Sequence, residues 1–126
     1  MYWLINFAFI PINATGNALN NTLTGNQAAN TLLGGIGQDT LIGGLGSDVY
    51  FYTRDSGQDT LIDYSAVNTG DVNKVYFEVG MTRDRLILNW ENNDLITSIA
   101  GYSSVLRIQN FKIDQNEWRF ILVDRI

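Results

Sequence analysis

Two consecutive nonapeptides, GGIGQDTLI and GGLGSDVYF at residues 34–51, place an aspartate at the same point of the same glycine-rich pattern. These aspartates are Asp39 and Asp48. An aspartate carboxylate is a hard anionic oxygen ligand, and glycines, which lack side chains, leave backbone carbonyl oxygens free to point at one spot. The pattern therefore favours a site lined with oxygen atoms, the kind of site that holds a hard cation.

The composition restricts the chemistry open to the 126-residue chain. It contains no cysteine and no histidine, which excludes thiolate metal sites, imidazole ligands and a histidine-based catalytic triad. The net charge is -5, and residues 34–63 carry five aspartates against the single Arg54. Like charges at that density require cations, and nucleic-acid binding requires a basic face. We therefore expect a cation ligand, no nucleic-acid partner and no enzymatic activity.

The nonapeptide pattern continues on both sides of residues 34–51. Weaker copies begin at Gly16 and Gly25, a fifth begins at Arg54 after a two-residue insertion, and residues 68–76 form a degraded sixth. The sixth positions of the first five copies are polar or acidic: Asn21, Asn30, Asp39, Asp48 and Asp59. The eighth positions are apolar: Leu23, Leu32, Leu41, Tyr50 and Leu61. Because one repeat cannot bury its own apolar side chain, the pattern predicts short strands that stack into a solenoid.

This run resembles the RTX, or haemolysin-type, calcium-binding repeat G-G-x-G-x-D-x-U-x. The resemblance implies a parallel β-roll in which two nonapeptides make one turn, so that alternate repeats stack and Ca²⁺ binds between their loops. The ligands would be carboxylate and loop carbonyl oxygens. The resemblance implies the following metal-site residues: Asp39, Asp59, Asp48, Gly35, Gly37, Gly44, Gly46, Gly57 and Asp71.

The implied stacking also ranks the sites. Asp39 faces Asp59, and these two carboxylates carry enough charge to balance one Ca²⁺. Asp48 faces the sixth copy, through either Asp71 or Asn73, and gives the second site. We expect the first of these pairs to bind calcium more tightly than the second.

Two departures from the repeat pattern predict weaker binding. Where Asn21 or Asn30 takes the sixth position, one negative charge is lost, and calcium affinity depends on ligand charge. Those edges are expected to bind weakly or to stay empty. The fifth repeat has Arg54 and Asp55 in place of its first two glycines, and the cationic side chain there is expected to weaken the adjacent site.

The segments outside the repeats divide the chain into three predicted regions. Residues 1–15 open with MYWLINFAFIPI, an apolar stretch that is too short for a transmembrane span and is predicted as a strand. Residues 16–63 form the β-roll, and residues 64–126 form a β-rich segment that caps it. The predicted fold is thus all-β, a short parallel β-roll of RTX nonapeptides capped by a C-terminal antiparallel β segment.

Within residues 64–126, the sequence RLILNWENNDLITSI predicts two strands joined by a hairpin, in which Asn92 or Asn93 adopts a left-handed conformation. SVLRIQNF and EWRFILVDRI predict further strands, and TRDRL after Met81 predicts a short helical turn. Open ends of a solenoid expose unpaired strands and apolar core. The bulky residues expected to cover that core are Trp90, Phe111, Trp118 and Phe120.

The resemblance implies a function as well as a fold. The chain is expected to be a calcium-binding module of a secreted bacterial protein, folding outside the cell on binding Ca²⁺ after type I export. It would belong to a larger toxin, adhesin or exoenzyme. The alternative is a surface adhesion module whose β-rich segment binds a cell-surface partner or glycan, for which exposed aromatic residues would be the signature.

Overall fold

The computed structural model describes residues 10–63, 71–78, 80–111 and 118–122, with Arg83 and the last segment described by their backbone alone. Most of the strand predicted at residues 1–12 lies outside this part, and Ile10–Ile12 are not in a strand. The described strands are β1 (Asn13–Thr15), β2 (Thr22–Thr24), β3 (Thr31–Leu33), β4 (Thr40–Ile42), β5 (Val49–Tyr52), β6 (Gln58–Ile62), β7 (Asn73–Phe77), β8 (Leu86–Glu91), β9 (Asp94–Ile99), β10 (Val105–Ile108) and β11 (Trp118–Leu122).

The repeats form a parallel β-roll of two facing sheets, as predicted. Successive repeats contribute strands alternately, so one sheet has the order β1-β3-β5-β7-β11 and the other β2-β4-β6-β10-β9-β8. In the second sheet, Leu41 pairs with Leu23 on one side and Leu61 on the other. The glycine-rich loops connect the sheets along the two edges of the roll, which brings loops of alternate repeats next to each other.

The core of the roll is a ladder of eighth-position side chains. Leu32, Leu41, Tyr50 and Leu61 have no exposed surface, because alternate residues of each short strand point into the space between the sheets. Leu23, which lies on the outermost strand of its sheet, is only partly buried. Each interior repeat therefore depends on the repeats stacked on both sides of it to bury its eighth-position side chain.

The C-terminal segment extends both sheets of the roll. β8 and β9 form the predicted antiparallel hairpin, with Asn92 at φ 58° in its turn, and β10 pairs antiparallel with β9. On its other side β10 pairs parallel with β6, and β11 pairs parallel with β7. The predicted helical turn is a short 3-10 turn at Arg83–Arg85. The segment therefore adds one parallel strand to each sheet of the roll, β10 to one and β11 to the other. The β8–β9 hairpin then extends the second sheet beyond β10.

The prediction that Trp90 covers the core is wrong. Trp90 lies on the outer strand β8 and is 52% exposed, although its ring contacts Phe111 at a centroid distance of 6.0 Å. Phe111 is partly buried against the core, as expected. The side chains of Trp118 and Phe120 lie outside the described residues. Ile87 to Glu91 are all exposed, so neither face of β8 is buried against the roll in the described part of the chain.

Candidate metal centre

The sixth-position side chains of alternate repeats stack on each other along both edges of the roll. On one edge, the backbone N–H of Asn21 donates to Asp39 Oδ1 at 2.7 Å. The N–H of Asp39 in turn donates to Asp59 Oδ1 at 3.0 Å. Thr40 pairs with Thr60 immediately after these residues. The structure therefore brings Asp39 and Asp59 together in the register that the repeat spacing predicts.

The opposite edge has the same ladder. The N–H of Asn30 donates to Asp48 Oδ1 at 2.8 Å, and the N–H of Asp48 donates to Asn73 Oδ1 at 2.9 Å. Of the two residues left open by the sequence, Asn73 thus takes the sixth position of the degraded repeat. Asp71 lies beside the same loop, where its Oδ2 accepts a hydrogen bond from the N–H of Gly46 at 3.2 Å.

Each ladder uses only one oxygen of its aspartates. Asp39 Oδ2 and Asp48 Oδ2 are buried and have no hydrogen-bond partner among the described residues. Asp39 is 2% exposed and Asp48 has no exposed surface. An ionised carboxylate oxygen buried without a partner is strongly unfavourable unless it binds a cation or a proton. These two oxygens therefore fit the hard cation that the sequence predicts.

The predicted loop glycines bring the backbones of stacked loops into direct contact. All five have positive φ: Gly35, Gly37, Gly44, Gly46 and Gly57. A Cβ atom on Gly57 would lie 2.3 Å from the carbonyl oxygen of Gly37, and one on Gly35 would lie 2.6 Å from the carbonyl oxygen of Asn17. Carbonyl oxygens of one loop therefore point at the next loop, where they can serve as neutral ligands beside the carboxylates.

Burial and repulsion by neighbouring carboxylates raise the pKa of one aspartate on each edge, Asp59 and Asp48. The pKa of Asp59 rises to about 7, chiefly through burial and further through the charge of Asp39. The pKa of Asp48 rises to about 8, chiefly through burial and further through Asp63 and Asp71. Both edges therefore favour a positive species beside the carboxylates, either a proton or a metal cation.

Asp63 is a site residue that the sequence reasoning missed. Its Oδ2 accepts a hydrogen bond of 2.5 Å from the Tyr50 hydroxyl. It also lies beside Asp48, because a Cβ on Gly43 would be 2.3 Å from Asp48 Oδ2 and 2.7 Å from Asp63 Oδ2. Asp63 follows Arg54 by nine residues, so it occupies the first position of a further nonapeptide, where the first four copies have glycine. That spacing was the available signal.

The remaining features limit what the centre can be. Within the described residues, no group of three or more His, Cys, Asp or Glu side chains could hold a metal ion. A bound cation must therefore draw most of its ligands from backbone carbonyls and at most two carboxylates.

Arg54, predicted to weaken the Asp59 edge, forms an ion pair with Glu78, Nε to Oε2 at 3.3 Å, and its guanidinium lies over the Tyr102 ring.

Comparisons with known proteins agree with this geometry. Residues 15–50 match the family model of the RTX calcium-binding nonapeptide repeat, in four copies. Among the solved structures that match is the crystal structure of the extracellular lipase LipA from Serratia marcescens, with a TM-score of 0.53 and 19% sequence identity. The match covers 84% of this chain and 20% of the lipase chain, so it supports the fold alone. No curated protein matches the chain.

No helix in the described ranges is long and apolar enough to cross a bilayer. Calcium is the cation that the family model names, and it prefers the oxygen ligands found in the loops. Residues 15–50 thus carry four RTX calcium-binding nonapeptide repeats, and the structure stacks these repeats into a parallel β-roll.

Proposed function

We propose that Ca²⁺ binding between stacked loops drives folding of this β-roll, which forms one part of a larger secreted protein. The observation that carries the proposal is one buried carboxylate oxygen on each edge, Asp39 Oδ2 and Asp48 Oδ2, that no described residue hydrogen-bonds. Without a cation, folding must bury these oxygens uncompensated or protonate them. When calcium binds only the folded roll, its binding free energy adds to folding stability.

The tighter site lies between the third and fifth repeats. Asp39 and Asp59 supply its charge, and the loops containing Gly35, Gly37 and Gly57 supply carbonyl oxygens. Two carboxylates neutralise one Ca²⁺, and calcium accepts the irregular mixture of carboxylate and carbonyl oxygens that these loops offer. Hydrogen bonding of Asp39 N–H to Asp59 Oδ1 holds the two loops at a fixed separation.

The second site lies between the fourth repeat and the segment that follows the fifth. Asp48 supplies the buried carboxylate, the loop with Gly44 and Gly46 supplies carbonyls, and Asp71 closes the loop through its bond to the Gly46 N–H. Asp63 adds negative charge beside Asp48. This added charge favours a bound cation, but it also favours protonation of Asp48. Calcium and protons therefore compete for the Asp48 carboxylate.

The setting of the parent protein follows from the same chemistry. A segment with five aspartates and one arginine between residues 34 and 63 is poorly suited to compaction in low calcium. We therefore propose that the chain passes out of the bacterial cell unfolded, by a type I route, and folds in the calcium of the exterior. The RTX repeat is a structural calcium-binding unit, so the toxic, adhesive or enzymatic activity would belong to other parts of the protein.

The proposal is tested by calcium titration of the chain, followed by far-UV circular dichroism and by ion counting in native mass spectrometry. Calcium should induce the β signal, whereas Mg²⁺, which needs a small octahedral site, should not. The double variant Asp39→Asn/Asp59→Asn should shift the titration midpoint to roughly tenfold higher calcium or beyond. Asp55→Asn, an exposed change in the same loop, is the matched control. A β signal that is unchanged in chelator, with no bound ion, would refute the proposal.

A second candidate function is adhesion through the outer hairpin strand. Ile87, Leu88 and Trp90 on β8 are exposed by 43%, 49% and 52%. An exposed tryptophan among apolar residues is suited to stacking on a sugar ring or a protein partner. A glycan array with the calcium-loaded chain tests this, with Trp90→Ala as the comparison. Binding at background level, or binding that Trp90→Ala leaves unchanged, would remove this candidate.

A further inference from the structure

The first two repeats differ from the third and fourth at two positions at once. The second position is asparagine in the first two, Asn17 and Asn26, and glycine in the next two. The sixth position is likewise asparagine in the first two and aspartate in the next two. These paired differences place two amide side chains in one loop wherever the carboxylate is missing.

The two amides of each loop bind each other. The N–H of Asn17 donates to Asn21 Oδ1 at 2.9 Å, and Asn21 Nδ2 donates back to Asn17 Oδ1 at 3.0 Å. Asn26 and Asn30 repeat this arrangement, with both distances 2.9 Å. We call each of these pairs, Asn17–Asn21 and Asn26–Asn30, an asparagine clasp.

Each clasp also organises the rest of its loop. Asn17 Oδ1 accepts a second hydrogen bond from the N–H of Leu19 at 2.9 Å, and Asn26 Oδ1 accepts one from Ala28 at 3.0 Å. An amide side chain carries both a donor and an acceptor and no charge, so the pair satisfies itself. The clasped loops therefore complete their polar contacts without a cation.

The backbone of the clasped loops also differs from that of the aspartate loops. Among the described residues, the non-glycine positions with positive φ are Asn92 and Asn110, so Asn17 and Asn26 lie outside the left-handed region. Their counterparts Gly35 and Gly44 both have φ of 88°. The peptide units at the second position are thus oriented differently in the two kinds of loop, and Asp39 Oδ2 lacks the partner that a clasp would provide.

We propose that the asparagine clasps replace calcium in the first two repeats, so that these loops bind no ion of their own and the calcium-binding part of the roll begins at Gly34. This inference rests on the proposed function, because it divides a calcium-dependent roll into a metal-held part and an amide-held part. The amide-held part is the N-terminal end of the described roll, where β1 and β2 are the outermost strands.

The first test breaks one clasp. Asn17→Gly removes the two hydrogen bonds that Asn17 Oδ1 accepts, from Asn21 Nδ2 and from the Leu19 N–H. Ala18→Gly, an exposed change in the same loop, controls for the added chain flexibility. In saturating calcium, Asn17→Gly should lower the Tm by about 4 °C or more relative to Ala18→Gly, with the same number of bound ions in native mass spectrometry. Loss of an ion on Asn17→Gly, or a Tm equal to that of the control, would overturn the inference.

The second test exchanges the clasp for a calcium loop. The triple variant Asn17→Gly/Leu19→Gly/Asn21→Asp gives the first repeat the sequence GGAGND. Because Leu19 is 68% exposed, its replacement removes no core contact. This variant should gain one ion per chain and recover the Tm lost in Asn17→Gly, in calcium but not in chelator. A folded triple variant with an unchanged ion count would overturn the inference.

The outcomes separate this inference from the proposed function. If the unaltered chain binds no calcium, the proposed function fails, and with it the division of the roll. If the unaltered chain binds calcium but Asn17→Gly loses an ion, the proposed function stands and the clasp inference alone fails. Asn17→Gly and Ala18→Gly alter neither an aspartate nor a core side chain. The comparison of these two variants therefore tests the inference even if the triple variant does not fold.

Discussion

Asp48 and Asp59 are buried carboxyl groups, and neighbouring carboxylates raise the pKa of each. Burial is the largest cause of their raised pKa values, about 8 for Asp48 and about 7 for Asp59, against an ordinary 3.8. A proton or a calcium ion can satisfy the same oxygen atoms, so each excludes the other. The calcium affinity of the roll should therefore depend on pH as well as on ligand geometry.

The sign of that pH dependence follows from linkage. A folded-state pKa above the unfolded value means that the folded chain binds more protons, so the contribution to stability is complete below about pH 4 and is lost as the pH rises through 7 to 8. In calcium-free buffer, the β signal in circular dichroism should therefore strengthen on acidification from pH 9 to pH 5. The variant Asp48→Asn/Asp59→Asn should show a smaller change. A calcium-free roll that loses β structure over this range on acidification would contradict the expectation.

At the scale of the elements, the interior strands are stabilised by the eighth-position ladder. Leu41 is fully buried between the sheets and touches coils on both sides, so Leu41→Ala should lower the free energy of unfolding by about 2–5 kcal/mol. Leu19→Ala, at a position 68% exposed, should change it by about 0.5 kcal/mol or less. Urea denaturation in saturating calcium measures both. Equal effects of the two changes would show that the ladder is not the core.

Strand β10 and the residue directly before it, Ser104, also hold the fifth-repeat loop in place; the N–H of Val105 donates to the carbonyl oxygen of Gly57 at 2.8 Å. Ser104 Oγ accepts a hydrogen bond from the Gly57 N–H at 3.0 Å and donates to the Arg54 carbonyl at 2.8 Å, while Ser104 itself is 1% exposed. Ser104→Ala removes both of these hydrogen bonds at a buried position and should cost about 1–3 kcal/mol.

Because that loop carries Asp59, the calcium titration midpoint of Ser104→Ala should also move to higher concentration. Ser103→Ala, at the adjacent exposed position, is the control and should leave both measurements unchanged. A Ser104→Ala titration that coincides with that of Ser103→Ala would show that β10 does not support the Asp59 loop.

At the scale of the whole molecule, the calcium loops and the C-terminal hairpin belong to one structure. β10 pairs in parallel with β6, and β6 carries Asp59 at its start. The hairpin strands are attached to the roll through β10, so they depend on a folded fifth repeat. Removal of calcium should therefore affect strands that hold no proposed ligand.

Hydrogen–deuterium exchange with and without chelator measures this coupling. Amides of β9 and β10 should lose protection on calcium removal together with those of β4 and β6, because all four strands share one sheet. Persistent protection of β9 and β10 in chelator would mean that the hairpin folds independently of the roll.

Much of this molecule follows from local repetition. The nine-residue period predicts the stacking of Asp39 on Asp59 and the inward position of Leu41, because a fixed number of residues per half-turn places equivalent residues at equivalent heights. A hairpin turn at Asn92 or Asn93 follows from short-range preferences for left-handed backbone, and the structure has Asn92 in that conformation. These features depend on residues close in sequence or related by the repeat.

Other features depend on contacts between segments with no common period, so only the tertiary structure determined them. The parallel pairing of β10 with β6 and the exposure of Trp90 both reflect how the chain returns to the roll after the repeats end. The sequence by itself determined the β-roll, its core and the chemistry of its loops, because these features repeat. The tertiary structure decided which non-repeating residues pack against the β-roll, because packing sets their burial and the register in which their strands pair.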